Sequence, residues 1–305
     1  MPRNGLRGML DMRKLLLVSA LLLSFAAFSP LSQSIAGPSK WTSAQISKRI
    51  NIAGRQRMLS QRMSKAVCYA IVGIDADNQR RIASTSAIEF AENLDFLLNG
   101  NAEMGGENEG AARAALDDVQ SIAHPLVQST LQLAAGDLHS VPMQLVIERN
   151  LPTLKRMNEA VGLIVQAAGG SGLGADVKTT LDLAGRQRML SQRIAKDMCF
   201  INVGMDVDAS LADLRSSMFL FQETLRGLID GNAKLGLLAA PTPEIKEQLA
   251  LVAELWSGVE PAFKSTLNEQ QLSLAQMLTV VAEIDLVLVE MNRAVGFWAK
   301  HAAAN

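Results

Sequence analysis

Two arginines hold the same place in a phrase that this 305-residue chain spells twice. The string AGRQRMLSQR covers residues 53–62 and recurs over 184–193, so Arg57 and Arg188 are 131 residues apart. A guanidinium stays charged, and its planar fork of donors fits a carboxylate or an oxyanion through two parallel hydrogen bonds. A duplicated apolar core would tolerate many exchanges among Leu, Ile, Val and Met. Keeping Gly, Arg, Gln and Ser as well demands more than burial.

On a helical wheel Ile52, Leu59, Met63, Ala66, Val67 and Ala70 fall within about 60° of one line, the core stripe of an amphipathic helix. Arg55 and Arg62 lie on one flank. Arg57 lies on the other among Ala53, Ser60 and Ser64, and Ala184, Ser191 and Ala195 recreate that face around Arg188. Small neighbours let a second helix approach, which directs Arg57 into a helix–helix seam. From Trp41 to Ile74 there are six bases (Lys48, Arg49, Arg55, Arg57, Arg62 and Lys65) and no acid. No carboxylate can therefore pair with Arg57 at helical spacing. A buried, unpaired guanidinium is costly, so a partner is required. Carboxylates on other helices can serve, and so can a bound anion. If the two copies face each other across a pseudo-twofold axis, Arg57 and Arg188 converge and repel, and a small anion between them relieves the repulsion. A purely structural arginine cluster is the competing account.

Other reactive side chains point to no catalysis. Cys68 and Cys199 also occupy matching positions, and groups near a pseudo-twofold axis meet their own equivalents. A Cys68–Cys199 disulfide is conceivable in an oxidising compartment. The wheel supplies no Cα separation, however, and two buried free thiols are the favoured reading. His124, His139 and His301 lack ligand spacing, so no metal centre is expected. The 14 methionines are scattered through apolar stripes as core filler. Ser60 and Ser191 have no base within helical reach. Without a phosphate loop or a nucleophile motif, the chain is expected to be neither an enzyme nor a cofactor protein.

The elements that position these residues are helical. Nearly half of the chain is hydrophobic but only 4% is aromatic, a palette of Leu, Ala, Met and Val that suits helices. With 29 bases against 30 acids, nonspecific nucleic-acid binding is not expected. Residues 95–101 align with 226–232 at the same offset of 131, and Met157-Asn158-Glu159-Ala160-Val161-Gly162 aligns with Met291-Asn292-Arg293-Ala294-Val295-Gly296 at 134. Three landmarks in one order mean internal duplication. Two copies of this length are too few for a solenoid and read as tandem domains. In the first copy helices are predicted over 42–75, 80–99, 110–135 and 142–168. The fold class is all-α: two tandem four-helix up-down-up-down bundles, over 41–168 and 176–303, joined by a flexible linker at 169–175. Four helices return the chain to its starting end, so the bundles are expected side by side and parallel, like a homodimer fused into one chain.

Residues 1–36 read as a signal peptide. Arg3, Arg7, Arg13 and Lys14 precede an apolar run from Leu15 to Phe28, and Ser34-Ile35-Ala36 supplies the small residues of a cleavage site. An uncleaved membrane anchor is the alternative, although the run is shorter than the roughly 20 residues a spanning helix needs. The expected location is the periplasm.

The string AGRQRMLSQRM resembles the signature of the PilJ-type sensor domain, the N-terminal domain of type IV pilus methyl-accepting transducers. It is similar to the nitrate- and nitrite-sensing periplasmic domain of NarX-like sensor kinases. The resemblance implies a four-helix bundle whose first helix carries the box, with the arginine just before the methionine binding the anion at a dimer interface. That role falls on Arg57 and Arg188. The nitrate sensors carry a lysine just before the Ala-Gly of the box, where this chain has Ile52 and Leu183, one positive charge fewer per copy. Those kinases continue into a transmembrane helix and signalling modules, whereas this sequence stops at Asn305, so a signalling partner is expected. Two functions follow. The first is a periplasmic ligand-binding sensor holding nitrate, nitrite or another small anion within an intramolecular pseudo-dimer, with Arg57, Arg188, Ser60, Ser191, Gly54 and Gly185 as candidate ligand-binding residues. The second is an interaction module that docks on a membrane chemoreceptor, a sensor kinase or a pilus component.

Overall fold

The computed structural model describes residues 41–137, 140–167, 174–268 and 271–304. The export-like segment 1–36 and linker residues 169–173 lie outside the described residues. Eight helices follow in order: α1 (Ser43–Ile71), α2 (Ala76–Asn99), α3 (Gly110–Ala134), α4 (Ser140–Ala167), α5 (Ala175–Asn202), α6 (Val207–Asp230), α7 (Pro243–Leu267) and α8 (Leu274–Ala304). One 3-10 turn, Ala233–Leu235, interrupts the α6–α7 connection, and there is no strand among the described residues. Each repeat closes its own ring of four helices, with α1 packing on α2 and α4 and α5 packing on α6 and α8. These are two tandem four-helix bundles.

Local signals set the boundaries. Thr42 opens α1 with a capping box: its hydroxyl accepts from the Gln45 amide at 3.2 Å, and the Gln45 side chain accepts from the Thr42 amide at 2.9 Å. Asp75 and Asp206 precede α2 and α6 in the left-handed region, at φ 48° and 45°, so the copies share even this uncommon conformation. Gly100 ends α2 at φ 75°, where an added Cβ would lie 2.3 Å from the Gly105 carbonyl oxygen.

The two bundles meet along α1 and α5. Each of these helices packs into its own bundle on one side and against its twin on the other. Their burial shows it: from Ala53 to Ala70 only Arg55 and Arg62 escape full burial, and from Ala184 to Phe200 only Arg186 and Arg193 do. Gly54 lies beside Arg188, Gly185 lies beside Arg57, and Cys68 is bonded to Cys199. Equivalent residues thus meet at two levels, so α1 and α5 run parallel and in register.

That register corrects the favoured reading of the cysteines. Cys68 and Cys199 form a disulfide across the seam with Cα atoms 6.3 Å apart. A wheel describes one helix and holds no distance between two, so it carries no information on this pairing. The bond spans a sequence separation of 131 residues, and a crosslink over so long a loop restricts the unfolded chain strongly. Replacing both cysteines with serine should leave the helical circular dichroism intact while lowering stability by about 2–4 kcal/mol. Thermal melts with and without reductant check this: reductant should lower the Tm of the natural chain and leave that of the double-serine variant unmoved.

Candidate functional site

A helix buried on nearly every side must satisfy most of its polar side chains through other helices. The duplicated box does so in matching pairs. Gln56 donates from Nε2 to the Phe90 carbonyl on α2 at 2.7 Å, and Gln187 donates to the Phe221 carbonyl on α6 at 3.2 Å. Ser60 donates to the Arg57 carbonyl at 2.8 Å and Ser191 to the Arg188 carbonyl at 2.9 Å. Both serines were candidate ligand contacts. Their hydroxyls are turned back onto the helix backbone, and neither lines the cavity at the seam.

Arg57 and Arg188 are brought together. A Cβ on Gly54 would stand 3.4 Å from Arg57 Nη2 and 3.5 Å from Arg188 Nη2, and one on Gly185 would stand 3.6 and 3.5 Å from the same two atoms. The glycines leave a small enclosed cavity that both guanidinium groups border, with Asn51, Asp182, Ile50 and Val295 among its other walls. Its volume of about 10 Å³ is room for one water-sized centre.

The two arginines are held differently. Arg57 Nη2 donates to Asp182 Oδ1 on α5 at 2.7 Å, and its Nη1 faces Asn158 Oδ1 on α4 at 3.4 Å. Arg188 Nη1 faces Asn292 Oδ1 on α8 at 3.3 Å, and its Nη2 reaches only the Asn51 carbonyl oxygen on α1, at 3.5 Å. Position for position Asn51 corresponds to Asp182, so one amide-for-carboxylate difference decides the charge. Arg57 has a native carboxylate from the other repeat, one of the two kinds of partner that the sequence left open. Arg188 has only long contacts to neutral acceptors. Burial, with the positive charges of Arg55 and Arg57, pulls the Arg188 guanidinium well below its ordinary value, to about 9. Burial also lowers Arg57, and Asp182 opposes that shift.

A second polar layer sits further along the seam. Buried Lys65 on α1 pairs with Asp285 on α8, across the repeats. Its equivalent Lys196 on α5 reaches Asn150 Oδ1 on α4, also across the repeats, at 2.9 Å, and pairs with Asp197 at 2.9 Å. Burial raises the Asp197 carboxyl to about 6 despite the neighbouring Lys196.

The residues that sequence reasoning missed carried signals. Asp182 and Asn51 stand two residues before the two copies of the box, one residue before Leu183 and Ile52, and their difference is visible on alignment. Asn158 and Asn292 belong to the duplicated Met-Asn landmark, used there only to set the register. Each turns out to face the arginine of its own repeat.

The sequence profile of the type IV pili methyl-accepting chemotaxis transducer N-terminal family, PilJ, matches residues 40–144 and again residues 177–283. The chain belongs to the PilJ family. Its two matched stretches contain both copies of the box, so the seam is an encounter between two PilJ units in one chain. The family's description is that of a sensory transducer domain and not of a catalyst. A comparison with curated proteins finds no significant match. Among the described residues no helix is long and apolar enough to cross a membrane.

Asp197 yields a pH prediction for this PilJ pair. Its folded-state carboxyl titrates above the unfolded value of 3.8, at about 6. The folded state therefore holds the proton more tightly, and this contribution to stability is full below pH 3.8 and lost as pH rises through about 6. Asp197→Asn should gain on the natural chain by roughly 2–3 kcal/mol between pH 4 and pH 7. Urea melts of both proteins at the two pH values check the change in their difference.

Proposed function

We propose that the chain is a periplasmic sensory module, without catalytic activity, that binds one small monoanion between Arg57 and Arg188, with nitrate and nitrite as the leading candidates. The observation that carries this reading is the charge count at the seam: two buried guanidinium groups border one cavity, and a single carboxylate, Asp182, stands with them. One monoanion supplies a counter-charge that Arg188 otherwise lacks. The export-like order of residues 1–36 and the membership of a chemotaxis transducer family support the location and the sensory role.

The cavity is too small for nitrate while Asp182 sits on Arg57, so binding involves this carboxylate. Asp182 Oδ2 already accepts from Arg186 Nε at 3.0 Å, and its side chain is 17% exposed. When an anion takes the place on Arg57, Asp182 rotates outward and keeps its pair with Arg186. The ligand thereby breaks an ion pair between the repeats, Arg57–Asp182, and leaves Asp182 with its existing partner within α5. Such a break changes what holds α1 to α5, which is the physical requirement for a ligand to bias one arrangement over another.

A second reading, docking on a membrane chemoreceptor, sensor kinase or pilus component, is favoured by α8. Leu278, Ala282, Leu286 and Val289 are exposed along one stripe, where the equivalent α4 positions carry Gln144, Glu148, Pro152 and Lys155. An apolar stripe on one repeat with a largely polar counterpart on the other is the pattern of an interface.

Isothermal titration of nitrate, nitrite and small carboxylates into the protein tests the first reading. One equivalent of anion should bind, Arg188→Ala should abolish binding, and Asp182→Asn should tighten it by removing the internal competitor. Unchanged affinity after Arg57→Ala plus Arg188→Ala would refute the site. For the second reading, partner capture from periplasm should survive high salt, because the contact is apolar, and should be lost in Leu278→Lys plus Leu286→Lys.

A further inference from the structure

The repeats invite comparison of equivalent surfaces, and one pair differs sharply in charge. In the first repeat Lys48 pairs with Glu103 and Arg55 pairs with Glu89, two ion pairs flanking the upper part of α1. At the offset of 131 these four positions become Thr179, Lys234, Arg186 and Leu220. Both carboxylates are gone, and one of them is replaced by a lysine. The second repeat keeps the equivalent helices, and Asn101-Ala102-Glu103-Met104-Gly105 corresponds to Asn232-Ala233-Lys234-Leu235-Gly236, although the first turn closes Asn101 on Gly105 and the second, one residue longer, closes Asn232 on Leu237. The larger difference is one of charge: two carboxylates in the first repeat and none at these positions in the second.

A groove of about 600 Å³ opens at this place between α4, α5 and the Ala233–Leu235 turn. Lys178, Arg186 and Lys234 line it, and Asp182 is the carboxylate in its wall. That carboxylate is already divided between Arg57 and Arg186. The rest of the wall is largely apolar, from Val161 and Val165 on α4 and Leu183 and Leu235 opposite. Concavity, a mostly apolar lining and a few convergent charges are the marks of a site for a small organic ligand.

We infer that the α4–α5 groove binds an organic carboxylate with an apolar body, its charge held by Lys234 and Arg186 and its body against Val161, Val165 and Leu183. An inorganic oxyanion leaves the apolar wall wet, and a neutral apolar molecule supplies no charge to Lys234. The groove is separate from the inner cavity, which neither Lys234 nor Arg186 lines. The two sites meet at Asp182, which forms part of both walls.

Titration calorimetry of benzoate and hexanoate into the full protein, with benzamide and acetate as controls, tests the inference. Both amphipathic carboxylates should bind, benzamide should not, and acetate should bind far more weakly. Lys234→Glu restores the charge of the first repeat on an exposed turn. It should weaken benzoate at least about tenfold while leaving the Tm and the nitrate titration unchanged. Benzoate that fails to bind, or that binds Lys234→Glu as well as the natural chain, overturns the groove. Nitrate that fails while benzoate binds overturns the inner site alone, so the two readings fail separately.

Discussion

The structure depends on two helices that keep only a narrow line of arginines toward solvent. α1 and α5 each belong to a four-helix ring, and each is also the other's neighbour, so nearly every residue of the duplicated box is buried. A helix in this position cannot divide itself into an apolar stripe and a wet flank. Gln, Ser, Arg and Lys side chains on it must reach carbonyls, amides or carboxylates of other helices, or be left unsatisfied at a cost comparable to a lost hydrogen bond. Several of the box's polar residues answer such a demand in both copies. Gln56 and Gln187 hold the second helix of each bundle, Ser60 and Ser191 cover a helix carbonyl, and the paired glycines leave space where the guanidinium groups converge.

Departure from symmetry is what makes the seam more than a core. Two identical units about a twofold axis would bring two identical charges together and offer both the same partners. Here Asp182 faces Arg57 while Asn51 faces Arg188, and the seam keeps one positive charge that no native carboxylate touches. The same loss of symmetry appears on the surface above it, where two ion pairs of the first repeat give way to cations and a leucine. Duplication inside one chain permits this, because each copy mutates alone. A homodimer built from one gene product has to change both sides at once.

The disulfide adds a mechanical constraint. It joins α1 to α5 eleven residues beyond the arginines, about 16 Å along the helices at 1.5 Å per residue. Sliding of one helix along the other is blocked there, so a rearrangement at Arg57 and Arg188 is confined to pivoting about the crosslink. The ion pair of Lys65 with Asp285 and the Lys196 contact to Asn150 lie between the two levels and cross between the repeats in opposite senses.

The helices, their approximate limits and the duplication were legible in the sequence, because hydrophobic periodicity, capping residues and glycines act over a few residues and leave their marks locally. The prominence of Arg57 and Arg188 was legible for the same reason: a stretch with six bases and no acid cannot satisfy its own charges. Pairing across helices was not. Asp182 stands 125 residues from Arg57 and Cys199 stands 131 from Cys68, and only the parallel, in-register packing of α1 on α5 turns those separations into a hydrogen bond and a covalent bond. The sequence by itself determined that a charge would need a partner. Tertiary structure decided which arginine received a native carboxylate and which was left with neutral acceptors, because burial and interhelix distance belong to the packed chain and to no single helix.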